Sequence, residues 1–187
     1  VMGHEFSGSV DAVGGSVARF KPGDRVTVVP VKYCGECEYC LSGLTNICPN
    51  RTFLGVFSEG GAMCEYLSID QRYVLPLPDG VDYMRGALVE PFAVAYRAVK
   101  AAEVRGKSVL ILGAGTIGLL LIEIARHAGA RFIAATDLSD DRLGLARRAG
   151  ADLALNPAQR DLAAEAREML GSDRFDATIE AVGATPT

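Results

Sequence analysis

The stretch Val109-Leu110-Ile111-Leu112-Gly113-Ala114-Gly115-Thr116-Ile117-Gly118 most constrains what this chain can fold into. An apolar run that stops on glycine reads as a buried strand, and Thr116 to Ala128 has the length and apolar face of a helix. A G-x-G-x-x-G pattern is weak by itself; at a strand-to-helix junction it is in the context it requires. There Gly113 permits the tight turn, Gly115 lets backbone approach a pyrophosphate, and Gly118 lets helix and strand pack closely. The helix start at Thr116 and Ile117 offers free N–H groups and a partial positive charge to phosphate. An acid is expected about 20 residues on. Asp137 stands 19 residues after Gly118, closing the apolar run Phe132 to Thr136. A carboxylate there accepts both ribose hydroxyls and repels a 2′-phosphate, which favours NAD over NADP; the alternative is that Asp137 caps the next helix.

The same texture continues. Strands are expected at 131–136, 152–155 and 177–181, with helices at 140–149 and 161–170. Alternating strand and helix imply a parallel sheet with helices on its faces. Before residue 95 the chain is rich in Gly, Pro and β-formers. Strands are expected at 6–13, 24–31, 63–69 and 72–75, which suggests a small β-barrel-like domain. The link 83–106 reads as mostly helical. The fold class is therefore α/β, with a β-barrel-like domain over 1–95 and a doubly wound parallel sheet over 96–187.

Residues 33–51 hold four of the five cysteines, Cys34, Cys37, Cys40 and Cys48, in the pattern C-x2-C-x2-C-x7-C. Closely spaced thiolates in one loop can surround a tetrahedral zinc, and a closed four-sulfur site is structural. Two disulfides or an iron–sulfur cluster are the competing readings. Cys64, on an expected strand, reads as a small buried hydrophobe. His4-Glu5 pairs two good zinc-ligand types just before the first strand. Glu90 lies in the apolar stretch Gly86 to Ala95, where a carboxylate is expensive unless paired or metal-bound. His127 is placed to favour a helix C-terminus.

The chain has 187 residues, a net charge of −4 and a 49% hydrophobic composition. A mildly acidic balance gives no electrostatic reason to bind nucleic acid or anionic membrane. No run approaches the ~20 apolar residues that span a bilayer. The opening Val1-Met2-Gly3-His4-Glu5 resembles no signal peptide and starts within a motif, so residues are expected upstream. Cysteine use points to the cytoplasm.

Together these motifs resemble the zinc-containing medium-chain dehydrogenase family. Gly3-His4-Glu5-Phe6-Ser7-Gly8 is similar to its GHExxG, Gly23-Asp24-Arg25-Val26 to its GDRV, and the cysteine loop to its structural zinc lobe. Gly60 to Tyr66 is similar to its GGxAEY stretch and Leu77-Pro78-Asp79-Gly80 to its LPDG turn. The resemblance implies a GroES-like domain followed by a Rossmann domain, both partial: the family's sheet has six strands and four are counted here. It implies two zinc ions in the full enzyme, the structural one on the four cysteines and a catalytic one on His4, Glu5 and Glu90. The remaining catalytic ligand would be a cysteine upstream of Val1, so this chain alone is expected to be inactive. Glu90-Pro91 matches the polyol and threonine dehydrogenase branch, and Leu54 to Gly61 also looks polyol-like. The cofactor set becomes Gly113, Gly115, Thr116, Ile117, Gly118, Asp137 and Arg142; on charge alone Arg142 reads with Arg147 and Arg148 as a solvated helix face. The implied reaction is hydride transfer from a zinc-polarised secondary alcohol of a polyol or sugar acid to NAD. L-Threonine 3-dehydrogenase or another alcohol dehydrogenase is the alternative within enzymes, and a zinc-stabilised, non-catalytic nucleotide-binding protein the alternative outside them. A homodimer or homotetramer is implied for the full enzyme.

Overall fold

The structure is a computed structural model that describes residues 1–56 and 60–184. Residues 57–59, inside the polyol-like stretch, and residues 185–187 lie outside the described residues. The chain divides into two compact units, Val1–Glu90 and Pro91–Thr187.

In the first unit β1 (Ser7–Ser9), β2 (Arg25–Val28) and β5 (Val74–Pro76) form a three-stranded antiparallel sheet in the order β1-β2-β5. Its register pairs Gly8 with Val26 and Thr27 with Leu75. Val28, Tyr73 and Val74 are its buried centre, with Phe6, Phe20, Val26, Tyr33 and Ile69 packed against them. A second ladder, β3 (Val31–Lys32) on β4 (Thr52–Phe53), closes the base of the cysteine loop, which contains the short helix α1 (Glu38–Leu41). The strands are shorter than their apolar patterns suggest. The expected strand 24–31 breaks before Pro30, which has no N–H for a ladder. The expected strand 63–69 is irregular. The N–H groups of Ala62 and Met63 instead donate to the carbonyls of Gly3 and Met2, at 2.8 and 2.9 Å. Cys64 is exposed there, not buried as its sequence context suggests.

Helix α2 (Tyr83–Ala87) begins at Asp82, whose carboxylate accepts the Arg85 N–H at 2.8 Å and so caps the helix. Helix α3 (Val89–Ala102) follows directly. Pro91 is tolerated in its first turn because no intrahelical N–H is needed there.

The second unit is built on β6 (Ser108–Leu112), β7 (Phe132–Thr136), β8 (Leu153–Leu155) and β9 (Ala177–Glu180). All three pairings are parallel, in the order β8-β7-β6-β9. Helices α4 (Thr116–His127), α5 (Asp140–Arg148) and α6 (Leu162–Leu170) make the crossovers. Every residue of β7 is buried, as expected of a strand covered on both faces. Ile111, Ile122, Ile133 and Leu143 share one core layer. Phe132, Ala134, Leu153 and Leu155 form the other. The strand order reverses between β6 and β9, and ligands of open α/β sheets bind at the carboxyl ends of strands flanking such a switch. Among the described residues, no helix is long and apolar enough to cross a membrane.

Candidate functional site

The four cysteines predicted to share a metal are brought together. Their sulfurs all lie within 4.8 Å of one another. Cys34–Cys48 is 3.6 Å, and Cys34–Cys40 and Cys37–Cys48 are each 3.9 Å. A tetrahedral ion with sulfur at about 2.3 Å has sulfur–sulfur edges of about 3.8 Å. The set therefore fits one ion; a cluster of several irons would spread the sulfurs further, and disulfide partners would sit at about 2.05 Å. Backbone supports the charge. The Glu36 N–H, then that of Cys37, holds the Cys34 thiol down at about 6, while burial pushes Cys40 up to about 12. Four thiolates cannot coexist this closely without a cation between them, which a dication supplies. Cys48 is fully buried, and Arg51 donates to its carbonyl at 3.1 Å, bracing the C-terminal end of the loop.

His4, Glu5 and Glu90 also converge, each offering a ligand atom within the same 4.8 Å span. Local packing explains how. His4 meets Phe53 edge-on at 4.9 Å between ring centroids, which sets its ring plane. Gly55, at φ +70°, runs so close to the chain just before His4 that a Cβ on it would lie 2.3 Å from the Gly3 carbonyl oxygen. Only glycine fits both that φ and that approach. Glu90 arrives through α2, which is tied to β1: Ser7 Oγ donates to the Tyr83 carbonyl at 2.6 Å, and Gly86 packs on Ser7 and Leu77. Burial raises the Glu90 carboxyl; the His4 imidazole opposes this and the Glu5 carboxylate adds to it. Two carboxylates and an imidazole so placed form an acceptor-rich hole for a hard or borderline cation.

In the second unit Gly113 takes φ +94° and its α-carbon faces Ala181 and Val182 at the end of β9. The fingerprint thus lies at the switch point. A Cβ on Gly118 would sit 1.9 Å from the Gly113 carbonyl oxygen, whereas one on Gly115 would meet nothing within 4 Å. Gly118 serves packing, and Gly115 leaves open space where a phosphate would approach. Gly115 is the N-cap of α4 and no side chain caps that helix, so its first N–H groups face outward for an anion. Asp137 reaches the turn: Oδ2 accepts the Ala114 N–H and Oδ1 the Ser139 N–H, both at 2.9 Å. Arg142 Nη1 lies 3.7 Å from Oδ2. Burial pushes the Asp137 carboxyl up, but those N–H groups and Arg142 outweigh it and hold it below the usual carboxylate range. The α5 cap is Ser139 and not Asp137.

Residues 1–79 match the family model for the alcohol dehydrogenase GroES-like domain, and residues 116–187 match that for zinc-binding dehydrogenase. An L-threonine 3-dehydrogenase of an Anaeromyxobacter species is 40% identical over 98% of this chain and 53% of the relative. A sorbitol dehydrogenase of Bacillus subtilis is 36% identical over 98% of this chain and 52% of the relative. The crystal structure of galactitol-1-phosphate dehydrogenase from Escherichia coli superposes with TM-score 0.86 at 37% identity, covering 97% of this chain and 53% of that one. The chain belongs to the zinc-containing medium-chain dehydrogenases. It spans about half the length of the curated relatives it matches.

Three features of this medium-chain dehydrogenase chain escaped the sequence. Phe53 as the neighbour of His4, the Ser7–Tyr83 tie that delivers Glu90, and the Asp137–Ala114 bond all join residues far apart in the chain. The Gly55–Gly61 cluster was the available signal for the first, since closely spaced glycines announce close backbone approach.

Proposed function

We propose that the chain serves a zinc-dependent, NAD-linked oxidation of a secondary alcohol in a polyol or sugar acid. The observation that carries this is the convergence of His4, Glu5 and Glu90 apart from the four-cysteine site. A donor set of nitrogen and oxygen with an exposed member, Glu5, can yield a position to substrate, as catalytic zinc sites do and closed four-sulfur sites do not. His4, Glu5 and Glu90 would hold a zinc ion that would supply Lewis-acid polarisation of the alcohol oxygen, and the glycine turn would hold NAD, which would supply the hydride acceptor.

The chain's own groups divide the remaining tasks. Phe53 holds the His4 ring in one orientation. Glu5, the exposed member, can turn towards substrate or water, while half-buried Glu90 stays in place. The amides at Thr116 and Ile117 receive the pyrophosphate at the start of α4. Asp137 accepts the ribose hydroxyls with its remaining lone pairs and repels a 2′-phosphate, and Arg142 lies beside it as a second cofactor contact. Cys34, Cys37, Cys40 and Cys48 hold the structural zinc. The likeness to sorbitol and galactitol-1-phosphate dehydrogenases supports the polyol class. The 40% identity to an L-threonine 3-dehydrogenase supports that amino alcohol as the second reading. A cytoplasmic homodimer or homotetramer belongs to the same proposal, supported by the family and by cysteines that are all unpaired.

Elemental analysis and a substrate panel of polyols, sugar acids and L-threonine test this on the full-length protein. Two zinc ions per chain and NAD reduction with a polyol or sugar acid are expected. Turnover with L-threonine alone selects the second reading. One zinc per chain with no turnover leaves a zinc-stabilised nucleotide-binding protein, and activity confined to NADP overturns the cofactor assignment.

A further inference from the structure

Asp137 is bonded to the glycine turn itself. Ala114 is fully buried, and its N–H donates to Asp137 Oδ2 at 2.9 Å. A buried N–H left without a partner would be costly, so the turn's shape depends on a side chain from the end of the neighbouring strand. The carboxylate is only 10% exposed and is fixed from its other oxygen by the Ser139 N–H at 2.9 Å. Gly113 is tied to the same strand end through its N–H on the Thr136 carbonyl at 2.8 Å. Gly115, one residue past Ala114, opens α4 without a side-chain cap.

We infer that Asp137 is a positioning residue for the phosphate-binding turn: it holds Gly115 and the first amides of α4 ready for a diphosphate before any ribose is engaged. The inference rests on the nucleotide reading above and adds to it a contribution that needs no ribose hydroxyl. A carboxylate has about four lone-pair sites. Two are taken by Ala114 and Ser139, so ribose recognition uses the others and the two tasks coexist on one group. Electrostatics alone gives the opposite sign, because removing a carboxylate near a diphosphate favours the anion.

The discriminating ligand is 2′,3′-dideoxyadenosine 5′-diphosphate, which keeps the diphosphate and lacks both hydroxyls. Its binding and that of ADP are measured calorimetrically on the full chain, on Asp137→Ala and on Asp137→Asn at one ionic strength. The alanine variant is expected to bind the dideoxy ligand about tenfold more weakly, the scale of one hydrogen bond. Asparagine keeps an oxygen that can accept the Ala114 N–H and is expected to recover most of that loss. Unchanged or tighter dideoxy binding by the alanine variant, with only ADP weakened, overturns the inference and leaves Asp137 as a ribose acceptor. If the unmodified chain binds neither ligand, the nucleotide reading itself fails. Amide hydrogen exchange at Ala114 decides the matter even if the alanine variant does not fold. Protection is expected in the nucleotide-free chain and in Asp137→Asn, and rapid exchange there overturns the inference.

Discussion

At the scale of single residues, Gly115 and Gly118 look alike in the sequence and do opposite work. Gly118→Ala drives a methyl to within 1.9 Å of a backbone oxygen. Helix and strand must separate, at a cost of about 1–3 kcal/mol or more. Gly115 has φ −74°, and a Cβ there meets open space. Gly115→Ala should therefore change stability by less than about 1 kcal/mol, the gain through the unfolded chain being offset by the poorer N-cap, while weakening ADP by at least about tenfold, because the methyl fills the approach to the phosphates. Thermal melts and calorimetry on both variants check this; a destabilised Gly115→Ala with normal ADP affinity contradicts the division of roles. Spacing made these glycines legible, as it did the cysteines, because each set acts within one short segment. The supports of His4, Glu90 and Asp137 are not legible: Phe53 meets His4, Ser7 ties down the helix that leads to Glu90, and Ala114 bonds Asp137, each across a long sequence separation.

At the scale of elements, the parallel half follows the sequence closely: β6, β7 and β8 are largely buried on both faces and read as apolar runs, and β9, last in the strand order, alternates half-buried and exposed residues. The expected strands 131–136 and 177–181 are β7 and β9 to within a residue. The antiparallel half has less regular strand than its sequence suggests. Met63 to Ile69 has β-forming side chains, but Met63 and its neighbour Ala62 donate to the carbonyls of Met2 and Gly3 in place of a ladder. Asp176 shows how elements are joined. Just before β9, its Oδ2 accepts both the N–H and the hydroxyl of Ser108 at the start of β6, at 2.8 and 2.9 Å. The Ser108 N–H, then its hydroxyl, holds the Asp176 carboxyl below its usual range against burial, with Arg131 and Lys107 assisting. Asp70 is lowered in the same direction by Arg72, through its N–H first and its guanidinium second. A carboxyl with a depressed folded-state pKa stabilises above its unfolded value of about 3.9, and this is lost as pH falls through the folded value. Asp176→Asn should melt lower than the unmodified chain at neutral pH, and the gap should narrow as pH falls below the unfolded value of about 3.9. Equal melting temperatures at neutral pH would show that the Ser108 tie contributes nothing.

At the scale of the whole chain, the two units differ in what can hold them together. Among the described residues the second unit has a continuous core running through Val109, Ile111, Leu121, Ile133 and Ala154. The first has a cluster of three buried residues under a three-stranded sheet. Its cysteine loop turns Leu41, Leu44 and Ile47 outward, and only Cys48 in it is buried. So little apolar burial cannot order residues 33–51 against the conformational entropy of about 1–2 kcal/mol per residue. A metal adds to that burial and to the loop's own hydrogen bonds, because its binding free energy is folding free energy. Stripping zinc with a thiol-directed mercurial and a chelator should therefore act on one unit. Hydrogen exchange read by mass spectrometry is expected to show peptides from 33–51 and the β3–β4 ladder losing protection, while those from β6, β7 and α4 keep theirs. Protection unchanged throughout, once elemental analysis confirms that the metal is gone, would show that the lobe folds on side-chain packing alone. Loss confined to 33–51, with β2 and β5 still protected, would instead limit the metal's reach to the lobe and leave the small sheet standing on Val28, Tyr73 and Val74.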